Sequence, residues 1–172
     1  AGISGREVKH GEGGIRDTEF TVQLLQLLNG GKWPDLRTPN TLEAIRALGS
    51  RQYLSPFEAE RLATNYIFLR HLEHRLQIEN GLQVHALPEP GDALDTLARR
   101  MGFVNGEALM TVFRQRTAEV REILQRFLSE KGSGNLWVAV LLERGAEAAD
   151  GLARLDAGAG EPHRIGVDVV VP

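Results

Sequence analysis

The feature that most constrains the fold is one long helical segment with well-marked ends. Ser55-Pro56-Phe57-Glu58 is a capping box with proline at the first helical position, a combination that starts helices. Helical periodicity then continues to Asn80-Gly81, about 25 residues or roughly 37 Å. Because an isolated helix of this kind cannot bury its apolar stripe, other helices must cover it. The residues on that stripe are Leu62, Tyr66, Leu69 and Leu76, with Glu73 in the gap between the last two.

Four further segments carry helix start and stop signals. Asp17 is expected to cap a helix that ends at Asn29-Gly30-Gly31, and Thr38-Pro39-Asn40 opens a shorter one. A short helix is predicted between Gly91 and Gly102, and Asn105 caps a second long helix. Six residues of this last helix alternate by four and three, the spacing of near-parallel or antiparallel helix packing. They are Leu109, Phe113, Arg116, Val120, Ile123 and Phe127. The sequence therefore predicts an all-α bundle of about five helices, two of them long and antiparallel.

The distribution of charge and glycine predicts one domain boundary. Residues 1–131 contain 17 basic and 17 acidic side chains, whereas the last 41 residues contain three basic and six acidic ones with seven of the 19 glycines. We expect a helical bundle domain over 1–131, with a glycine-rich N-terminal segment over 1–14. Residues 132–172 are expected to form a poorly defined tail or the start of a further segment. Within it, 135–144 and 147–155 could form short helices, and 163–171 is strand-like.

Composition excludes several classes of protein. The chain has no cysteine, so disulfides and thiolate metal sites are excluded. No basic patch indicates nucleic-acid binding, and no apolar run is long enough to span a membrane. No secretory signal opens the sequence, which predicts a cytoplasmic protein with neither nucleic-acid nor membrane partners. Because the chain begins at Ala1 rather than Met, we expect it to be part of a longer protein.

A glycine-rich stretch before the first helix allows two interpretations. Glycines beside a helix start could present backbone N–H groups and cations to a phosphate. Alternatively, they let the backbone turn tightly into the helix while Arg16 pairs with a nearby carboxylate. The second interpretation is favoured, because the spacing matches neither of the common phosphate-binding motifs. The weak phosphate-loop candidates are Lys9, Gly11, Gly13, Gly14 and Arg16.

A second group of polar residues lies midway along the long helix. Since burial of Glu73 is costly without a cation, Arg16, Arg70 or Arg75 is its expected partner. We expect Arg16 or Arg70 to pair with Glu73 and to fix the Gly11–Gly14 loop against the helix. The predicted structural polar network contains Arg16, Asp17, Arg70, Glu73, His74, Arg75 and Gln77.

No catalytic or metal site is predicted. His71 and His74, with or without His85, do not match the zinc-binding helix pattern, which places two histidines four residues apart. Asp17 and Glu19 could pair around Mg²⁺ on a strand, but at a helix start they point in different directions.

The motifs resemble those of a known family. Residues 9–23 match the pattern K-x-G-x-G-G-I-R-[DE]-x-E-F-x-V-Q of the bacterial glutamine synthetase adenylyltransferases, also called glutamate–ammonia ligase adenylyltransferases. The resemblance continues through 36–37, 41–42, 68–70 and 73–77 to 85–88, and covers roughly residues 7–128. The related PII uridylyltransferases share a looser version, and Glu19-Phe20 followed by Val22-Gln23 favours the adenylylating branch.

The resemblance implies a place in a larger enzyme. Such enzymes carry two nucleotidyltransferase domains, each with an attached helical domain; one transfers AMP from ATP, with Mg²⁺, to glutamine synthetase, and the other removes it. Their catalytic signature, Gly-Ser followed by Asp-x-Asp, is not completed after Gly49-Ser50 or Gly132-Ser133. The resemblance therefore implies a helical scaffold or regulatory domain, without a cofactor of its own and inactive alone.

The implied partners are the enzyme's own nucleotidyltransferase domain and glutamine synthetase, with the PII signal protein as a further candidate. An independent helical interaction module of a related nitrogen-signalling protein is the alternative. The least favoured alternative is a self-sufficient enzyme that uses Arg16, Glu73 and His74.

Overall fold

The computed structural model describes residues 3–80 and 84–131. Within these ranges no strand occurs, and a single antiparallel bridge joins Glu7 to Ala86. Short 3-10 turns, Ile3–Arg6 and Pro34–Leu36, precede the first and second helices. The five α-helices are α1 (Ile15–Asn29), α2 (Thr41–Ser50), α3 (Pro56–Asn80), α4 (Asp92–Arg100) and α5 (Gly106–Lys131). The predicted all-α class and the number of helices are confirmed.

Three of the predicted helix starts are formed by the side chains that the sequence indicated. In the capping box, Glu58 Oε2 accepts from the Ser55 backbone N–H (2.9 Å), and Ser55 Oγ accepts from the Glu58 N–H (3.3 Å). Asn40 Oδ1 accepts from two backbone N–H groups in the first turn of α2. Asn105 Oδ1 accepts from the Ala108 N–H at 2.9 Å at the start of α5. These bonds satisfy backbone donors that have no partner inside the helix.

The start of α1 differs from the prediction. Its N-cap is Gly14, which has no capping side chain, and Asp17 lies inside the first turn. The helix begins earlier because the N–H groups of Ile15 and Arg16 donate to the carbonyls of Val8 and Lys9. Asp17 still acts at this helix end, since its carboxylate accepts from the Gly13 N–H at 2.6 Å.

The two long helices, α3 and α5, run antiparallel, as predicted. Successive contacts from α3 join Glu58 to Arg126, Arg61 to Glu119 and Asn65 to Arg116. Because the residue numbers rise along α3 while they fall along α5, the helix directions are opposite.

Two clusters of buried apolar residues form the core. One joins the C-terminal half of α3 to α4 and the start of α5, and also includes Val8, Ile15 and Leu87. The other joins α1, α2, the first half of α3 and the later part of α5. Leu72, which the predicted stripe of α3 omitted, is fully buried in the first cluster. The N-terminal segment is thus part of the core rather than a loose extension.

The chain divides into Ala1–Phe127 and Leu128–Pro172, and all contacts discussed below lie in the first unit. The short helices and the strand expected after residue 132 lie outside the described residues, so they stay predictions, as does the boundary itself. No described helix is both long and apolar enough to cross a membrane.

Candidate functional site

A buried carboxylate marks the place where the N-terminal segment meets α3. Glu73 is 3% exposed. Its Oε2 forms an ion pair with Arg70 Nη1 at 3.0 Å, and its Oε1 lies 3.7 Å from both Lys9 Nζ and His85 Nδ1. Because an ionised carboxylate is costly to bury alone, the neighbouring basic side chains are needed to offset the desolvation of Glu73. We call Lys9, Arg70, Glu73 and His85 the N-terminal junction.

Backbone pairing brings Lys9 and His85 to Glu73. The Val8 N–H donates to the His85 carbonyl and the Leu87 N–H donates to the Arg6 carbonyl, both at 2.8 Å. The Arg6 side chain, itself 9% exposed, donates to the Leu87 carbonyl at 3.2 Å and forms an ion pair with Glu89. The segment before α1 is therefore attached to the chain after α3 by main-chain and side-chain bonds.

The glycine-rich loop uses its own backbone donors. The Gly14 N–H donates to the Gly11 carbonyl, and the N–H groups of Gly13, Ile15 and Arg16 have the acceptors described above. Those donors are therefore not free to bind a phosphate, and the geometry supports the tight-turn interpretation.

Close packing gives a reason for the glycines. Gly13 has a φ of +72°, and a Cβ there would overlap the carbonyl of Thr117 in α5. A Cβ at Gly14 would lie 2.7 Å from the Val8 carbonyl oxygen. These positions let two backbone segments approach to a distance that side chains would prevent.

Of the alternative partners expected for Glu73, Arg70 contacts it, whereas Arg16 forms no ion pair with it in the described residues. Arg16 is exposed, and its Nη1 lies 3.4 Å from His10 Nδ1. The His10 ring in turn meets the His85 ring edge to face, with centroids 5.8 Å apart. Partial desolvation, and then the neighbouring Arg16 charge, lower the pKa of His10. The Arg16 side chain thus reaches the junction through the two histidines, while its backbone N–H donates to the Lys9 carbonyl.

The remaining residues of the predicted network are spread over the helix. His74 and Arg75 are exposed on α3, Gln77 is half-buried, and none of the three contacts Glu73 in an ion pair or hydrogen bond within the described ranges.

Burial raises the pKa of Asp17 although the Gly13 N–H opposes this effect; Glu12 also raises that pKa, and Arg121 lowers it.

Asp17 and Glu19, the two carboxylates considered for Mg²⁺, have different partners in the structure. Glu19 accepts a hydrogen bond from the Tyr66 hydroxyl at 3.0 Å, whereas Asp17 binds Gly13. Among the residues of 3–80 and 84–131, no group of three or more His, Asp or Glu side chains could hold a metal ion.

A second buried polar group lies between α3 and α5. Asn65 is 1% exposed; its Nδ2 donates to Glu119 Oε2 at 3.0 Å, and its Oδ1 accepts from Arg116 Nη1 at 3.0 Å. Arg61 forms an ion pair with the same Glu119. The hydrogen bond from Asn65 and the charge of Arg61 hold the pKa of Glu119 below its usual value, although desolvation acts in the opposite direction. We call Arg61, Asn65, Arg116 and Glu119 the helix seam.

Sequence reasoning missed Lys9 and His85 as partners of Glu73, and it missed the helix seam. Lys9 and His85 lie in short segments with no periodicity, and the resemblance to a family was the one signal that included both. Asn65 lies three residues after Leu62 and four before Leu69, so its place on the buried stripe could have identified it.

Comparison with known proteins agrees with these motifs. The family model described as GlnD PII-uridylyltransferase matches residues 3–128. A bifunctional glutamine synthetase adenylyltransferase/adenylyl-removing enzyme from Xanthobacter autotrophicus is 44% identical over 106 residues, 62% of this chain and 11% of that protein. Enzymes of the same name are 48% identical over 58% of the chain in Mycobacterium leprae, and 42% identical over 70% in Cutibacterium acnes. The matched region spans 10% and 12% of those two proteins.

Proposed function

The chain belongs to the family described as GlnD PII-uridylyltransferase, and from that premise we propose that it is a helical domain of a bifunctional glutamine synthetase adenylyltransferase. In this proposal the parent enzyme transfers AMP from ATP to glutamine synthetase and removes it again. ATP and Mg²⁺ belong to a separate nucleotidyltransferase domain, and the present chain binds neither. The adenylyltransferase names of the similar proteins favour this branch over the uridylyltransferases.

The N-terminal junction carries the proposal. Lys9 belongs to the first family motif and Glu73 to a later one, and in the fold the two side chains form an ion pair at 3.7 Å. A domain that precedes the chain would be connected through this segment. Because the segment is bonded to α3, to His85 and to Leu87, it can transmit an orientation rather than act as a loose linker. The role of the domain is therefore mechanical: it sets the angle at which the catalytic domain meets the bundle.

The partners follow from that role. The bundle packs against the nucleotidyltransferase domain of its own parent and helps to present glutamine synthetase to it. The PII signal protein is a further candidate partner, since the matching family model carries its name.

The test uses the full-length reading frame. Glu73→Gln keeps the shape of the side chain but removes the charge that holds Lys9, so we expect slower transfer of AMP to glutamine synthetase with an unchanged KM for ATP. Glu60→Gln, at an exposed position of the same helix, is the matched control. Equal transfer rates for the two variants would contradict the mechanical role. A reading frame without an upstream Gly-Ser and Asp-x-Asp signature would contradict the assignment itself.

A further inference from the structure

A hydrogen bond in the N-terminal segment requires the neutral form of one histidine. Nη1 of Arg16 lies 3.4 Å from Nδ1 of His10, six residues earlier in the chain. Because a guanidinium has only donors, the histidine nitrogen accepts this bond with its lone pair. A protonated ring has no lone pair to offer, so protonation of His10 would replace the bond by the repulsion of two positive charges.

The charged and titratable neighbours of His10 come from three parts of the chain. Arg16 lies at the start of α1, Glu7 and Lys9 belong to the same segment as His10, and His85 follows α3. Partial burial, and then the charge of Arg16, lower the pKa of His10. Lys9 and His85 act in the same direction, whereas Glu7 raises that pKa. The surroundings thus favour the neutral ring, in agreement with the hydrogen bond from Arg16.

The position of His10 connects its protonation to the fold of the glycine-rich loop. The hydrogen bond between His10 and Arg16 joins the two ends of the Gly11–Gly14 loop. The main-chain bond from the Arg16 N–H to the Lys9 carbonyl joins the same two ends. The His10 ring also contacts the His85 ring edge to face, with centroids 5.8 Å apart. Repulsion between His10 and Arg16 would therefore act directly on the closed loop.

We propose that His10 is a pH-sensitive switch that controls how firmly the Gly11–Gly14 loop is held against α1. The neutral ring accepts from Arg16 and keeps the loop closed. Protonation breaks this contact and weakens the main-chain bonds that close the loop. The switch is a property of this chain and does not depend on the proposed function.

The direction of the pH effect follows from the lowered pKa of His10. A segment that is released from the bundle binds a proton on His10 as the pH falls below the ordinary value of 6.5, while the docked segment resists protonation. The stabilising contribution of the neutral ring is therefore present above that value and is lost as the pH falls through the lowered one. Histidine is the side chain that titrates near neutral pH, so the transition lies close to physiological conditions.

The test follows amide hydrogen exchange of the full chain by NMR between about pH 7.5 and about pH 5, with each rate corrected for intrinsic exchange. The reporting N–H groups are those of Ile15 and Arg16, which donate to the carbonyls before the loop. We expect their protection to fall about twofold to fivefold, the size of one exposed charge pair. The fall should span the pH range in which the imidazole resonances of His10 titrate. The Ala44 N–H, which donates to the Asn40 carbonyl in α2, is the remote reference and should keep its protection.

Two substitutions separate His10 from the other titrating groups. His10→Asn places an amide oxygen near the position of Nδ1 and does not titrate, so the fall in protection at Ile15 and Arg16 should disappear. His74→Asn, at an exposed histidine of α3, is the matched control and should leave the fall unchanged.

Several results would overturn the proposal. If the fall persisted in His10→Asn, another group would be responsible for it. Titration of His10 at or above its ordinary pKa of 6.5 would show that the fold does not favour the neutral ring. Titration of His10 without any change in protection, or an equal change at Ala44, would show that the ring does not control the loop.

Discussion

At the N-terminal junction the buried polar residue is a carboxylate, Glu73, whereas in the helix seam it is an amide, Asn65. Glu73 has basic side chains around it from three parts of the chain. Two of these side chains, Lys9 and His85, lie 3.7 Å from its Oε1. Asn65 makes direct hydrogen bonds to α5, and the charged Arg61 and Glu119 stay at the partly exposed rim. A buried charge costs more to desolvate than a buried amide. The ion pairs of the junction therefore have to offset a larger desolvation free energy than the hydrogen bonds of the helix seam.

The comparison suggests different purposes for the two regions. An amide between antiparallel helices fixes their register at moderate cost. The buried carboxylate has one counter-charge on its own helix, Arg70, and gains a second, Lys9, when the N-terminal segment is in place, so docking of that segment adds to its stability. The following substitutions test whether changes at the junction lower the free energy of unfolding more than changes in the helix seam.

The largest effect is expected for Gly13→Ala. The new methyl group would overlap the Thr117 carbonyl, and the φ of +72° disfavours any side chain. We expect a loss of about 4 kcal/mol in the free energy of unfolding, measured by urea denaturation. Gly5→Ala is the matched control, since nothing lies within 4 Å of a Cβ at that exposed position. Similar midpoints for the two variants would show that the loop is not packed against α5.

A smaller but still large effect is expected for Glu73→Ala. The change leaves Lys9 and Arg70 without their common counter-charge, which should cost about 3 kcal/mol. In a domain of this size the melting temperature should fall by about 10 °C. Glu60→Ala on the exposed face of the same helix should shift it by no more than about 1 °C, since surface substitutions usually have little effect. A shift of one or two degrees for Glu73→Ala would show that the junction tolerates the loss of its charge.

The smallest effect is expected in the helix seam, and it should depend on pH. The fold lowers the pKa of Glu119, so its stabilising contribution is present above the unfolded value near 4.5 and is lost as pH falls through the lower folded pKa. Glu119→Gln should therefore reduce stability by about 1 kcal/mol at neutral pH. The difference from the unsubstituted chain should shrink as the pH falls below about 4.5 and should be lost once the pH is below the lowered folded pKa.

Asp17→Asn is the control of opposite sign for that experiment. The fold raises the pKa of Asp17, so this carboxyl favours the folded state at low pH and loses that contribution as pH rises through the raised value. Relative to the unsubstituted chain, Asp17→Asn should be more stable at neutral pH than at low pH. The melting temperatures of both variants, measured across the acidic pH range, test this pair of predictions. If both variants changed with pH in the same way relative to the unsubstituted chain, the opposite pKa shifts of Asp17 and Glu119 would be contradicted.

Local chemistry explains what the sequence alone determined. Capping by Asn40, Ser55 with Glu58, and Asn105 acts over two or three residues, and the apolar stripes repeat over three or four, so five helices and their approximate ends could be read directly. The same periodicity placed Glu73 on the buried face of α3 and required a cation for it. The predicted start of α1 was wrong because the first N–H groups of the helix donate to the carbonyls of Val8 and Lys9. No local sequence pattern indicates these backbone acceptors.

Tertiary structure decided which groups besides Arg70 meet Glu73. Lys9 is 64 residues away in sequence, and His85 approaches only because residues 6–8 pair with 85–87. Arg16, which sequence reasoning offered as a partner, turns to His10 instead. Ion pairs act over a few ångströms, so their partners depend on the path of the whole chain. Helix signals act between neighbours in sequence, and for that reason the helices were predictable while the junction became visible only in the folded molecule.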